Sequence, residues 1–179
     1  MARLPAVLST DDLPLAELSA LRCDGVLVRV GSCYTPVDQP DGTGIRAIAA
    51  AHGMHERMIA ERMTAAWIWG ARDEAPTPHQ FCTDLGARVS HQVRPWLELR
   101  EVVLSPMDIA MVGDLAVTTP ARTLADLARF QPEWGPLEQS IAERLSALAD
   151  DPGAVREDLE RTKLPHKNRA MARLGISPS

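Results

Sequence analysis

Apolar positions along the chain switch from helical to strand spacing and back. Leu13, Leu15, Leu18 and Leu21 recur at near-helical intervals behind Thr10-Asp11-Asp12, which is good cap chemistry, so a short amphipathic helix is expected over 11–22, closed by Gly25. Val26 to Val30 and Cys33 to Thr35 flank Gly31-Ser32 and predict two strands around a tight turn. An Ala-rich helix follows over 45–51, then a short strand at 58–60 and a helix over 64–70 that carries Trp67 and Trp69. Two tryptophans two apart cannot share one helical face; both are read as core side chains, because seven aromatics in all leave few other large residues to fill an interior.

The second half begins with strand patterns at 79–85 and 97–104. The latter alternates apolar and charged residues, and one of its faces is expected to be wet. Ser105-Pro106 makes a turn, and 108–112 and 115–117 form a hairpin around Gly113-Asp114. The strand then runs into the best-marked helix start in the chain. Thr118 or Thr119 can accept a hydrogen bond from a free first-turn amide, and Pro120 sits at the first helical position, where a missing N–H costs nothing. Ala121, Leu124, Ala125, Leu127 and Ala128 share one stripe, with Arg122 and Asp126 four apart beside it. Pro132 and Gly135-Pro136 separate this helix from one over 137–149, and two more are expected over 153–162 and 166–174.

Strands in the middle and helices at the end make an α+β pattern rather than alternating βαβ units. A helix followed by a small β-hairpin is the second half of a winged-helix module. Only ten residues precede the first cap, so that module is expected to be truncated. Residues 36–44, with two prolines and two glycines, form the best linker. The expected organisation is a small winged-helix-like module over 1–38 and a mixed α+β domain with a helical C-terminus over 45–179.

Composition narrows the class. At 179 residues and 45% apolar content the chain can bury a real core, and no run approaches the length needed to span a bilayer. The N-terminus lacks the apolar run of a signal peptide, and the cytoplasm is the expected compartment. Cys23, Cys33 and Cys82 have no zinc-ligand spacing and read as reduced, mostly buried thiols. Seventeen arginines stand against two lysines. The net charge of −5 is uneven: 161–179 holds five basic residues and no acidic one, leaving fourteen basic against twenty-four acidic before it. A basic tail on an acidic body binds phosphate or docks on the body's own acidic face.

Catalytic signatures are missing from the pattern. His52 and His55 are three apart without a partner at ligand spacing, and His79, His91 and His166 fall in expected loops or at element ends. There is no phosphate-cradling glycine loop and no Gly-x-Ser-x-Gly, and both lysines, Lys163 and Lys167, lie in the tail rather than on a strand behind clustered acids. No cofactor or metal is expected. An enzyme would require a cleft gathering Asp84, Glu98 or Glu101 with His79 or His91. For nucleic acid, the candidate contacts are Arg3, Arg22 and Arg29 around the hairpin and Arg161, Lys163, Lys167, Arg169 and Arg173 in the tail.

The stretch Val117-Thr118-Thr119-Pro120-Ala121-Arg122-Thr123-Leu124-Ala125-Asp126-Leu127-Ala128 resembles actinobacterial members of the AbiEi family, the antitoxins of type IV toxin–antitoxin systems. In that family a strand, a Thr/Ser-Pro cap and an Arg-Thr-Leu-x-Asp-Leu helix recur near the end of the C-terminal domain. Residues 27–34 resemble the family's wing, and 60–70 resemble its Ser-Ala-Ala-x-x-x-Gly helix. The resemblance implies a winged-helix DNA-binding module, a non-enzymatic domain that opposes a nucleotidyltransferase-like toxin without necessarily forming a tight complex, and repression of the chain's own operon. Thr119, Pro120, Arg122 and Asp126 are its structural motif. The alternative is a relative that has lost DNA binding and serves as a protein-interaction domain; scattered arginines and an exposed apolar patch near Trp67, Trp69 or Trp96 would favour it.

Overall fold

The computed structural model describes residues 5–85, 94–149, 151, 153–160 and 164–177. Its class is α+β. The first helix, α1 (Leu15–Cys23), starts later than the helix expected over 11–22 behind Thr10-Asp11-Asp12. Asp12 instead closes a turn of its own, its carboxylate accepting from the Ser9 amide at 2.8 Å. The helix begins behind Pro14, whose carbonyl accepts from the Glu17 and Leu18 amides. Strands β1 (Leu27–Val30) and β2 (Cys33–Pro36) form the expected hairpin, and Leu8 bridges to Tyr34 on the far side of β2. Leu8, Leu18, Leu27 and Tyr34 make a small apolar cluster here. A helix and a two-stranded hairpin do not by themselves make a winged-helix module, and among the described residues only α1 precedes the hairpin.

Helix α2 (Thr43–Ala51) follows the Pro/Gly-rich stretch and packs back on the hairpin, its Ala47, Ala49 and Ala50 against Val30 and Cys33. A five-stranded mixed sheet is built from β3 (Ile59–Ala60), β4 (His79–Asp84), β5 (Leu97–Val102), β6 (Ile109–Val112) and β7 (Leu115–Thr118), in the order β5-β4-β3-β7-β6. β3 pairs antiparallel with β4 and parallel with β7, and β4 and β5 are parallel. Helix α3 (Arg62–Ile68) is buried along its whole length because two cores meet on it. Ala65, Trp67 and Ile68 face the sheet cluster of Phe81, Leu115 and Val117, whereas Met63 and Ala66 join a helical cluster. That second cluster is formed by α4 (Pro120–Phe130), α5 (Pro136–Leu148), α6 (Ala154–Glu160) and α7 (Lys167–Arg173).

Trp67 is core, with 2% of its surface exposed. Trp69 is half-buried, its indole N–H donating to the Thr118 carbonyl at 2.8 Å and tying the end of α3 to the end of β7. Cys33 and Cys82 are buried and Cys23 is exposed; all three are free thiols.

Candidate functional site

Helix α4 follows the predicted start: Thr119 is the cap, its hydroxyl accepting from the Arg122 amide at 3.3 Å, and Pro120 occupies the first helical position. Residues 121–129 are all buried, so the helix cannot leave its charged side chains in water. Asp126, 1% exposed, accepts from three guanidinium groups: Arg129 at 2.9 Å, Arg122 at 3.0 Å and Arg100 at 3.1 Å. Arg122 also donates to Asp108 at 2.8 Å. Asp108 in turn accepts from the Ser105 amide at 2.7 Å, within the turn that leads into β6. The motif residues thus fasten α4 to β5 and to the loop before β6.

The network continues away from α4. Arg100 donates to both oxygens of Glu61, which is wholly buried, and Arg62 bridges Glu61 and Glu98 at 3.1 and 2.8 Å. Arg62 holds a φ of +44°, an uncommon backbone for a residue other than glycine, and these two carboxylates fix the side chain that comes with it. Among the described residues, Arg62, Arg100, Arg122 and Arg129 are thus linked by ion pairs to Glu61, Glu98, Asp108 and Asp126 in one connected set.

Burial works against the charged form of Arg100 and Arg122, but hydrogen bonds and charge from Glu61, Asp126 and Asp108 outweigh it and hold both above the ordinary arginine range. Burial wins at Arg129 and lowers it, with Arg122 and Arg100 nearby adding to the effect. Glu98 is pushed up by burial, yet Arg62 and Gln80 bring it below the usual carboxylate range. The Cys82 thiol lies close to this set, and burial, reinforced by Glu61, raises it far above its ordinary value, so it stays a protonated thiol. The arrangement holds three elements in register.

The charged face of β5 is partly wet, as expected, with Glu98 exposed and Arg100 half-buried; in the parallel register these two share a sheet face with Gln80 and Cys82, and the same face carries the ion network. Glu61, Arg62, Arg100, Asp108 and Arg129 were not singled out by sequence reasoning. The available signal was charge at buried phase: an Arg on an apolar strand, and a third charge, Arg129, on the face of α4 that bears Asp126.

The candidate nucleic-acid cations fall in two places. Arg22 is exposed at the last turn of α1. Arg29 is exposed on β1, with its Nε donating to the Gly31 carbonyl at 2.9 Å. The hairpin packs chiefly on α1 and α2, whereas α7 packs on α4 and α6. In α7, Lys167 is half-buried and Arg169 exposed, the latter 2.8 Å from His166 Nδ1. Arg173 is turned inward: its guanidinium donates to the carbonyls of Ala128, Gln131 and Pro132 and lies over the Trp134 ring, closing the C-terminus of α4. Arg3, Arg161 and Lys163 lie outside the described residues, as does His91.

A groove of 980 Å³ separates β1 from the body of the domain. Val28 to Ser32 line it, as do Trp67 and His79, with rings 5.9 Å apart, and Trp96, 41% exposed, whose carbonyl accepts from the His79 amide at 2.9 Å. Burial lowers His79 below its ordinary value. His52 lines the groove as well, and Asp41, Asp73 and Glu74 are its carboxylates. This groove does not gather Asp84, Glu98 or Glu101 beside His79. The described residues hold no cluster of three metal-ligating side chains.

The domain is α+β, and its motif charges are internal struts. Residues 59–176 match the AbiEi antitoxin C-terminal domain, and the chain belongs to that family. Membership brings an antitoxin role against a toxin partner. A search of curated proteins found no match. Among solved structures, the chain is similar to the crystal structure of RV2827C protein from Mycobacterium tuberculosis at 15% identity, over 98% of this chain and 78% of that one, with a TM-score of 0.39. A similarity that distant carries no assignment. No described helix is long and apolar enough to cross a membrane.

Proposed function

We propose that the chain is a non-enzymatic, cytoplasmic antitoxin that opposes a nucleotidyltransferase-like toxin encoded beside it, with 1–38 and 45–179 as its two parts. The family match over 59–176 carries this reading. The ion network supports it, since Arg122 and Asp126 are occupied in holding α4 and are not presented to a substrate. Co-expression tests it directly. Growth of cells making the adjacent gene's product should be restored by this chain; continued arrest would refute the antitoxin role.

Operator binding is the finer part of the proposal, with Arg22, Arg29, Lys167 and Arg169 as its described cations. Phosphate contacts make such binding salt-dependent. Fluorescence anisotropy with the chain's own promoter should therefore show binding that weakens from 50 to 200 mM salt, and no binding at the lower concentration would end this part.

A specific observation favours the second reading, a protein-interaction domain without DNA binding. Val26, Val28 and Val37 are exposed on the hairpin, where Val26 and Val37 are hydrogen-bonded neighbours and Val28 lies opposite Thr35. Three exposed valines suit a protein surface better than a phosphate backbone.

A further inference from the structure

The geometry points to the groove beside β1 as a docking site for an extended, basic peptide segment of a protein partner, which adds as a strand to the free edge of β1. This rests on the protein-interaction reading and says which surface is used and what chemistry it takes.

The edge follows from the hydrogen-bond phase. Leu8 and Tyr34 exchange both main-chain bonds, at 2.7 and 2.8 Å. In an antiparallel ladder the N–H and C=O of one residue point to the same side, so Tyr34 directs both away from β1. Its partner across the hairpin, Arg29, must then direct its own N–H and C=O away from β2. The next pair of the same phase is Leu27 opposite Pro36, and Pro36 has no N–H to give, which fits the same assignment. Among the described residues no hydrogen bond engages the main chain of Arg29. Val28 to Ser32 line the groove, so this unpaired edge is one of its walls. An open strand edge is a template for an incoming strand, and main-chain pairing supplies affinity while side-chain pockets supply selection.

The remaining walls select the occupant. Gly31, at φ +59°, lets the hairpin turn approach Trp67: a Cβ there would lie 3.2 Å from the ring. The indole is thereby held against the turn as an apolar floor. Trp96 also lines the groove, with Arg94 5.1 Å from its ring centre and bonded to the Gly53 carbonyl. The rim is acidic. Asp41, Asp73 and Glu74 face one guanidinium, Arg29. Arg46 occupies both oxygens of Asp41, and exposed Arg144 takes one oxygen of Asp73. Among the described residues Glu74 makes no ion pair, so an incoming strand gains from alternating cations and apolar side chains. Apolar residues would meet Val28 and Trp96, and cations would meet the rim.

The test uses the full chain and a fluorescein-labelled Ac-(Arg-Val)4-NH2 peptide, followed by anisotropy at 100 mM salt. It should bind, and its acidic counterpart Ac-(Glu-Val)4-NH2 should not. Two versions, N-methylated on the arginine or on the valine amides, should bind unequally, because only one set of amides faces β1. Arg29→Pro removes an outward N–H, a position where an edge strand tolerates proline, and should weaken binding roughly three- to ten-fold. Glu74→Lys, a surface change that leaves the backbone alone, should weaken it about two- to five-fold, less at high salt. Equal binding of the acidic peptide, equal binding of the two N-methylated peptides, or indifference to both substitutions overturns the proposal. So does a dimer of the chain that Arg29→Pro dissolves, since a second copy would then hold the edge. If the peptide fails while co-expression still restores growth, the docking site is wrong and the antitoxin reading stands; if growth also fails, both fall.

Discussion

Helix α4 and the β1–β2 hairpin are opposite solutions to placing polar groups. In α4 the charges are inside and fully partnered: Asp126 meets three arginines and no water-facing role remains for it. In the hairpin Val26, Val28, Arg29 and Val37 are exposed, and among the described residues no hydrogen bond engages the main chain of Arg29 on β1. The stretch that identifies the family is therefore the one that holds the domain together. The surface fit for a partner lies in a part of the chain with little motif at all.

The largest effect should separate the two regions. Asp126→Ala leaves Arg100, Arg122 and Arg129 close together without their shared carboxylate, and breaking a buried ionic set from one side costs about 3–5 kcal/mol. Urea unfolding should show that loss with Glu61 and Asp108 still in place. A loss under 1 kcal/mol would mean that water reaches the network and that α4 is not the strut the comparison makes it. Val26→Ser with Val37→Ser should by contrast stay within about 0.5 kcal/mol of the parent, because neither side chain is buried.

Half of that contrast was legible in the sequence. The Thr119-Pro120 start, the α4 stripe and the hairpin around Gly31-Ser32 follow from local chemistry, and local chemistry is what periodicity reads. The network was not legible, because its members lie on α3, β5, the turn before β6 and α4, and only the parallel register of β4 and β5 brings Arg100 beside Glu61. Alternation on β5 tells which residues share a partly wet face, but not that the same face reaches buried Glu61 and Asp126. The start of α1 was misplaced because Asp12 caps a turn of its own, so cap chemistry was present one element early. The groove depends on the meeting of Gly31 with Trp67, 36 positions apart, and no local signal marks it.

An intermediate effect tests how tightly α3 and β7 are joined. Trp69→Phe removes the N–H that the Thr118 carbonyl accepts and leaves that carbonyl to the Thr123 hydroxyl, 3.0 Å away. The expected loss is about 1 kcal/mol by thermal or urea unfolding. Thr119→Ala removes the side-chain cap of α4 and should cost a similar ~1 kcal/mol. Additivity of the two within roughly 0.5 kcal/mol would show that the β7–α4 corner is fastened at independent points, and strong coupling would make it one unit.

The smallest effect concerns the acid limb of stability near the hairpin. Arg46, whose guanidinium also donates to the carbonyls of Trp67 and Arg72, forms a two-bond pair with Asp41 and holds its carboxyl below the usual range by hydrogen bonding and charge. A carboxylate lowered in the folded state contributes stability that is fully present above its unfolded pKa of about 4 and is lost as the pH falls through the folded value. Asp41 is 61% exposed, so the contribution is screened and belongs with surface pairs at about 0–1 kcal/mol. Asp41→Asn should therefore lower stability slightly at pH 7, leave it unchanged near pH 2, and flatten the acid limb between the two. Raising salt to 1 M should shrink the difference at pH 7, whereas the Asp126→Ala loss, set in a dry network, should barely respond. Equal salt sensitivity in the two variants would erase the distinction between the partnered interior and the open edge.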